Sequence, residues 1–581
     1  MTKVTNEMAV FVQNPRLIRR GKILAALSGY AIFLQARAAC GISLIILLLL
    51  LCPPQVSATP DFSSLGHVNL GQVNFANSCS PAVQSDFNHA LALLYSFEYD
   101  EAVVGFHAAL QKDPHCSIAE WGVALARLQR LSAESSKETL QAGWKELEPV
   151  LDHPFGTKRE QGYLDAVADL YRDFDHASAG VRGGRYQRAM RQLHVSYPAD
   201  DNAALYYAMS LNLGASGSVG LADRRRALKI LFPVFKRHPN HPGAAHFIIH
   251  VCDTPELAPL GLKAALKYAS IAPASPHALH MPSHIFSRLG MWNDSIQSNL
   301  KSADVAHQWL LQGRKGAYFD EQHARNHLEY AYLQTGQDAK ALEQIRICEN
   351  LQHIPGVNDP WAIVDGRIYY DLELRDWKDA QTIEAPAGAS FKESFDIYWI
   401  KTIAAARLGE AQTAATNLEK FKQSVEAYGQ SAAFYVEITH MDELQAEAWV
   451  LHAEHKDKAA IGMLHRSLEF EHSHPVYYPD VLTRPSAESL GDLHMDLHRP
   501  KEALHDYEIA LTMAPNRIDS LLGAFQSARA LYDDRAARRY GSKLLAVCEK
   551  NSDRPEISQV SAWMKSKRSA SNVAKVMEKS D

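Results

Sequence analysis

Two distant stretches of the chain share one spacing of small and large residues. They are FNHALALLYSFEYDEAVVGFHAALQKDPHC at 87–116 and AESLGDLHMDLHRPKEALHDYEIALTMAPN at 487–516. Small residues stand where two paired helices would approach closely, large residues stand where the next pair would pack, and a proline closes each unit. The signature positions are Ala90, Leu93, Ala102, Phe106, Ala109 and Pro114, and then Leu490, Gly491, Ala503, Tyr507, Ala510 and Pro515. This spacing predicts helical hairpins that repeat about every 34 residues.

Weaker units of the same kind lie between the two stretches. Helix-pair patterns occur at 287–303, 327–345, 361–383 and 443–468, and alternating β-branched residues are scarce throughout. The pattern is that of the tetratricopeptide repeat (TPR), whose units bury their apolar faces against their neighbours. We therefore predict an all-α fold, a right-handed α-solenoid of TPR-like helical hairpins.

The N-terminal region has the layout of a secretory signal peptide. Basic residues precede the apolar run CGISLIILLLLLC at 40–52, and Val56 and Ala58 stand at the small-residue positions of a cleavage site. The run is shorter than the ~20 residues that span a bilayer, and an uncleaved anchor helix is the alternative interpretation. The predicted domains are a signal peptide at 1–58, a linker at 59–78, the solenoid at 79–565 and a flexible polar tail at 566–581.

Export would place the mature chain in a periplasmic or extracellular space, where disulfides persist. The cysteines beyond the predicted cut are Cys79, Cys116, Cys252, Cys348 and Cys548. Cys79 and Cys116 are separated by 37 positions, close to one repeat length, and are therefore a candidate disulfide between successive units. The alternative is that all five are thiols, most of them in the core.

The charge pattern argues against one class of partner. The net charge of −6 is spread over 581 residues, and no basic stripe with interleaved aromatic residues is present. We therefore expect no nucleic-acid partner. A membrane contact is expected only through an uncleaved N-terminal segment.

Histidines at helical spacing are concentrated in the middle of the chain. The pairs spaced i,i+4 are His246/His250, His280/His284, His323/His327 and His494/His498. Residues i and i+4 share one helix face, so each pair can give two imidazoles to one metal ion. Imidazole donors suit Zn, Cu or Fe and disfavour Mg or Ca.

The repeat register assigns the first three pairs to the inner helices of consecutive units, facing the concave groove. The predicted metal site consists of His246, His250, His277, His280, His284, His323 and His327. Asp253, Asp320 and Glu321 are the candidate carboxylates that would hydrogen-bond these ligands. His494 and His498 fall outside the groove and are interpreted as structural. Adjacent helices lie ~8–10 Å apart, so three helices can share one centre only where the solenoid bends tightly, and one ion or two remain alternatives.

Several longer motifs occur in a fixed order. They are CSPAVQSDFNHALALLYSFEYDEA, DPHCSIAEWGVAL, HPGAAHFIIH, PHALHMPSHIFSRLG and YAYLQTGQ. With this set the sequence resembles a family of exported bacterial TPR proteins over essentially the whole mature chain. The resemblance implies the helical-repeat fold and supplies no reaction.

Two functions from different classes are compatible with these patterns. In the first, the groove carries a histidine-rich transition-metal site that serves either a metal-dependent enzyme, hydrolytic or oxidative, or a metal carrier or sensor. In the second, the protein is a non-catalytic envelope scaffold whose groove binds a peptide, a protein or a small molecule.

Overall fold

The computed structural model describes residues 69–577, apart from 130–134, 214–219, 315, 356, 358, 430–432, 475–483, 551 and 553. All of them belong to one compact unit, Leu65–Asp581. Within these ranges the regular structure is helical and no strand occurs. The predicted signal peptide and its cleavage site lie outside the described residues. No described helix combines the length and the apolarity needed to cross a bilayer.

Consecutive helices pack against each other along the chain, and many also contact the next helix but one. The predicted all-α solenoid of TPR-like hairpins is thereby confirmed. The helices are α1 Gln84–Tyr95, α2 Tyr99–Lys112, α3 Ser117–Arg127, α4 Lys137–Asp152, α5 Lys158–Tyr171, α6 Ala179–Ser196, α7 Asp201–Leu213, α8 Leu221–Arg237, α9 Pro242–Cys252, α10 Ala258–Ile271, α11 Pro276–His280, α12 Pro282–Arg288, α13 Trp292–Leu311, α14 Ala317–Leu333, α15 Asp338–Leu351, α16 Trp361–Leu374, α17 Trp377–Ala380, α18 Phe395–Arg407, α19 Ala411–Gly429, α20 Ala433–Ala453, α21 Asp457–Ser473, α22 Ser486–Asp496, α23 Pro500–Met513, α24 Ile518–Ala530, α25 Asp534–Val547 and α26 Pro555–Met577. Short 3-10 helices span Pro81–Val83 and Phe391–Ser394.

The signature residues pack as their sizes predict. A Cβ added to Gly491 or to Gly523 would come within 2.7 or 2.2 Å of the Tyr507 ring. In the N-terminal unit, a Cβ on Gly122 would come within 2.4 Å of the Phe106 ring. Each large residue of a second helix therefore fills space that glycines on neighbouring helices leave free.

The C-terminal hairpins pack against the middle of the chain. The turn before α13 meets the turn before α24, where a Cβ on Gly290 would lie 2.1 Å from the carbonyl oxygen of Pro515. The indole N–H of Trp292 donates to the Asn516 carbonyl at 2.9 Å, and the Asn516 amide donates back to the Gly290 carbonyl at 3.2 Å. These contacts join segments more than 220 residues apart and hold the inner helices of the central units in place.

Both ends of the solenoid differ from the predicted boundaries. Residues 69–78, predicted as part of a linker, form an extended segment in which Phe75 is fully buried against Phe87, Trp121 and Tyr163. Phe75 fixes this segment against the solenoid because its ring completes the core of the first units. At the other end α26 continues to Met577, beyond the predicted boundary at 565, and 578–581 lie outside the described residues.

Cys79 and Cys116 form a disulfide that closes the end of this extended segment onto the start of α3. For a loop of this length the chain-entropy model gives a stabilisation of about 4 kcal/mol, at the upper end of the about 2–4 kcal/mol that disulfides usually contribute. We expect the double substitution of both cysteines by alanine to lower the free energy of unfolding of the N-terminal hairpins by that amount, measured by urea denaturation without reductant. Reductant should destabilise the wild type and leave the double variant unchanged. An equal effect on both proteins would contradict the prediction.

Candidate metal centre

Four helices bring the seven predicted histidines together. α9 carries His246 and His250, α11 carries His277 and His280, α12 carries His284, and α14 carries His323 and His327. Pro282 is the first residue of α12, where a missing N–H removes no helical hydrogen bond. The break between α11 and α12 lets these two short helices lie between α9 and α14, in contact with both. The centre therefore does not require α9 and α14 to meet directly.

The larger group contains His280, His284, His323 and His327. One ligand atom from each side chain lies within 4.8 Å of the others. The Nε2 atoms of His280 and His284 are 2.9 Å apart, and the ring centroids of His323 and His327 lie 4.6 and 4.7 Å from that of His280. His323 is half-buried, and the other three residues are buried. The group forms a compact pocket of four nitrogen donors.

The smaller group contains His246, His250 and His277, with ligand atoms again within 4.8 Å. The Nε2 atoms of His246 and His277 are 3.1 Å apart. The Nε2 atom of His250 is buried and makes no hydrogen bond. A buried polar atom without a partner is costly in a folded protein, and a metal ligand is one role that accounts for it.

Three of the rings are held by hydrogen bonds from the nitrogen that faces away from the group. Nδ1 of His246 donates to the Tyr95 carbonyl at 2.6 Å, and Nδ1 of His284 donates to Asp253 at 3.0 Å. Nδ1 of His280 donates at 2.7 Å to the side-chain oxygen of Asn299. The amide of that asparagine is oriented by its own donation to the Ser295 carbonyl. Metal-binding histidines are commonly oriented in this way.

These bonds decide the protonation of two facing nitrogens. A neutral imidazole has one N–H, and His280 and His284 both use it at Nδ1. When both rings are neutral, their Nε2 atoms present lone pairs across 2.9 Å, and a cation shared between them relieves the repulsion. Burial, followed by the neighbouring histidines, places the pKa of His280 well below its ordinary value. A metal ion is the cation that this arrangement suits.

Burial keeps the three rings of the smaller group neutral. Burial lowers the pKa of His246 to about 3, and burial together with neighbouring histidines lowers the pKa of His250 and His277 well below the ordinary value. Neutral imidazole is the form that binds metals. Burial alone would raise the pKa of Asp253, but Arg288 and His284 outweigh it, so the pKa lies below its usual range and the carboxylate stays ionised.

The turn between α1 and α2 covers the smaller group. Phe97 has a left-handed backbone with φ 59°, and its ring centroid lies 4.4, 5.3 and 5.4 Å from those of His246, His250 and His277. The same left-handed conformation recurs at the equivalent turn of other hairpins, at Gly290 and His498, and here it places a phenylalanine ring beside the histidines. The next residue, Glu98, is buried and accepts a hydrogen bond from the Ser275 hydroxyl at the cap of α11.

The three carboxylates predicted to hydrogen-bond the ligands have different partners in the structure. Asp253 holds His284 and also accepts from Arg288 at 2.8 Å. Glu321 is buried and accepts from His307 and Arg325, and Asp320 interacts electrostatically with Glu98. His494, interpreted as structural, bonds Asp506 at 2.6 Å.

Sequence reasoning missed Tyr95, Phe97, Glu98, Asn299 and Arg288 as parts of this centre. The turn residues lie about 150 positions before α9 and carry no local signal of a site. Helix α13 did carry one, because its polar residues recur at i, i+3, i+4 and i+7 on a buried face. They are Ser295, Ser298, Asn299 and Ser302. A polar stripe at core positions indicates that the helix faces polar groups.

The chain matches no family model and no curated protein. Its fold is similar to solved structures, among them the APC/C hetero-tetramer Cut9-Hcn1 at 10% identity, covering 83% of this chain and 89% of that chain with a TM-score of 0.31. Yeast Tom70 gives 12% identity, 86% and 99% coverage and a TM-score of 0.29. The TPR domain of P58(IPK) gives 13% identity, 78% and 99% coverage and a TM-score of 0.19. Scores this low carry no functional argument, and the fold assignment rests on the helices of this chain.

Proposed function

We propose that the protein is an exported TPR-like solenoid that binds transition-metal ions, Zn, Cu or Fe, through its buried histidines. The observation that carries the proposal is the close approach of four histidines in one cluster, with the Nε2 atoms of His280 and His284 2.9 Å apart. Neutral nitrogen donors in a buried pocket are the ligands that these metals accept. The hydrogen bonds that His246, His280 and His284 donate to Tyr95, Asn299 and Asp253 support the proposal, because metal-binding histidines are commonly oriented in this way.

The chemistry that such a centre supplies depends on its ion. A bound metal polarises substrates or activates water, and a redox-active metal transfers electrons. We accordingly propose a metal-dependent enzyme, hydrolytic or oxidative, as the role of the centre. The disulfide between Cys79 and Cys116 supports the proposed export, because such bonds persist outside reducing compartments.

Metal analysis of the mature chain tests the proposal. Protein purified without chelators, or reconstituted with Zn²⁺, Cu²⁺ or Fe²⁺, should hold at least about one tightly bound equivalent. His284→Ala should lower that content, because it removes both a ligand and the partner of His280. His498→Ala is the matched control, since this residue lies in the turn after α22, and it should leave the metal content unchanged.

Two outcomes would count against a metal centre. Absence of stoichiometric metal after all three reconstitutions would favour the non-catalytic scaffold that binds a peptide, protein or small molecule. Equal metal content in the His284→Ala and His498→Ala variants would show that the metal binds elsewhere. Far-UV circular dichroism of both metal-free variants verifies that the helices are intact.

A further inference from the structure

Resting on the proposed function, we infer that the centre holds two ions of unequal accessibility, and that the ion in the three-histidine group binds a small exogenous anion while the ion in the four-histidine group is closed. The inference follows from the number of donors, their burial and the groups that surround each pocket.

Seven donors exceed what one ion of this kind accepts. Two ligands on one ion can be separated by no more than twice the bond length, about 4.2 Å. The donors sort into two sets whose ligand atoms lie within 4.8 Å of one another, so small ring rotations bring each set within this limit. His277 and His280 lie three residues apart on α11 and belong to different sets, with ring centroids 6.2 Å apart. The two pockets are therefore neighbours joined by one short helix.

The donor numbers make the two pockets unequal. Four histidines complete a tetrahedral shell, as in closed structural sites, whereas three leave a position for water or a substrate, as in catalytic sites. Burial agrees with this difference. Two of the three residues in the smaller group, His250 and His277, are half-buried, whereas three of the four residues in the larger group are buried. The residues of the smaller group are thus the more exposed of the two sets, although the Nε2 atom of His250 is itself buried.

The surroundings of the smaller group select for size and charge. Phe97 lies within 5.4 Å of all three rings, measured between centroids, so the space beside the donors suits a ligand of few atoms. Two divalent ions would bring four positive charges. Of the buried carboxylates around the centre, Glu98 lies beside the smaller group and Glu321 is already paired with Arg325. Asp253 is already paired with Arg288. Uncompensated charge is costly in a buried site, and a small anion on the open position reduces it.

Copper and azide are suitable probes, because azide bound to Cu²⁺ gives a charge-transfer absorption band. The mature chain reconstituted with Cu²⁺ should hold about two equivalents and develop this band as azide is added. His250→Ala, in the smaller group, should lose about one equivalent and the band. His323→Ala, the matched change in the larger group, should also lose about one equivalent but keep the band.

The outcomes separate the failure of this inference from that of the proposed function. A wild type that holds one copper would overturn the two-ion inference and leave the metal centre standing. Two coppers with an azide band that is lost in His323→Ala and kept in His250→Ala would reverse the assignment of the open site. No bound metal would refute both proposals. His277→Gln, at a half-buried ring, gives a second test of the smaller group if His250→Ala does not fold.

Discussion

Replacing Arg517 with methionine is expected to destabilise the protein by about 3–5 kcal/mol, the usual cost of removing one partner from a buried ion pair. The Arg517 side chain is 1% exposed, and its guanidinium lies 2.5 Å from Glu373 and 2.8 Å from Glu488. It also donates to the hydroxyl of Tyr330, three positions after His327 on α14. The substitution leaves buried carboxylates without their main cation.

The substitution should leave Glu373 with less compensating positive charge than Glu488. Glu488 keeps Arg484, whose Nε lies 2.9 Å from its other oxygen. Glu373 keeps the amide of Gln334, which donates to it at 2.7 Å, and burial already raises its pKa although Arg517 opposes this. Adding Glu373→Gln to Arg517→Met should therefore recover part of the lost stability, because it removes the stranded charge.

Urea denaturation of the full mature chain, read together with amide exchange in α22 and α24, measures this effect. Arg539→Met is the matched control, because Arg539 pairs with Glu508 at 2.8 Å but its side chain is 54% exposed. It should cost less than about 0.5 kcal/mol, as exposed ion pairs do. Similar losses in Arg517→Met and Arg539→Met would show that the buried pair contributes no more than a surface pair.

The repeat fold could be predicted from the sequence because its packing is local. Phe106 and Tyr507 each pack against glycines of neighbouring helices, and both contacts lie within the span of one or two units. The same local regularity showed which faces of α9 and α14 carry histidine pairs. Helical spacing defines a face, and in a solenoid of stacked hairpins a face predicts the direction in which side chains project.

The composition of the centre depended on contacts that no local pattern contains. Tyr95 reaches His246, and Pro515 meets Gly290, because small rotations between successive units add up over the chain. The sequence also left the break between α11 and α12 undecided, because Pro282 can either start a helix or bend one. The structure places it at the first position of α12, and His280 and His284 belong to one group across this break.

The metal-free protein should lose stability steeply as the pH falls below about 6.5, the pKa of histidine in an unfolded chain. Burial lowers the pKa of His246 to about 3 and that of His241 to about 4 in the folded protein. Between those values and 6.5 the unfolded chain binds protons that the folded chain does not, so the free energy of unfolding falls by about 1.4 kcal/mol per pH unit for each such histidine. His250, His277 and His280 act in the same direction.

His241→Asn isolates one contribution to this slope. Nδ1 of His241 caps α9 by accepting from the Ala244 N–H, and asparagine is a strong N-cap that does not titrate. The variant should resemble the wild type near pH 7.5 and be less sensitive to acid, with a slope lower by up to about 1.4 kcal/mol per pH unit between pH 6 and 5. Urea midpoints of chelator-treated protein at these pH values provide the measurement. A metal-free wild type equally stable at pH 7.5 and 5 would mean that its buried histidines accept protons as freely as those of the unfolded chain, and that the protein does not hold them in the neutral form that metals require.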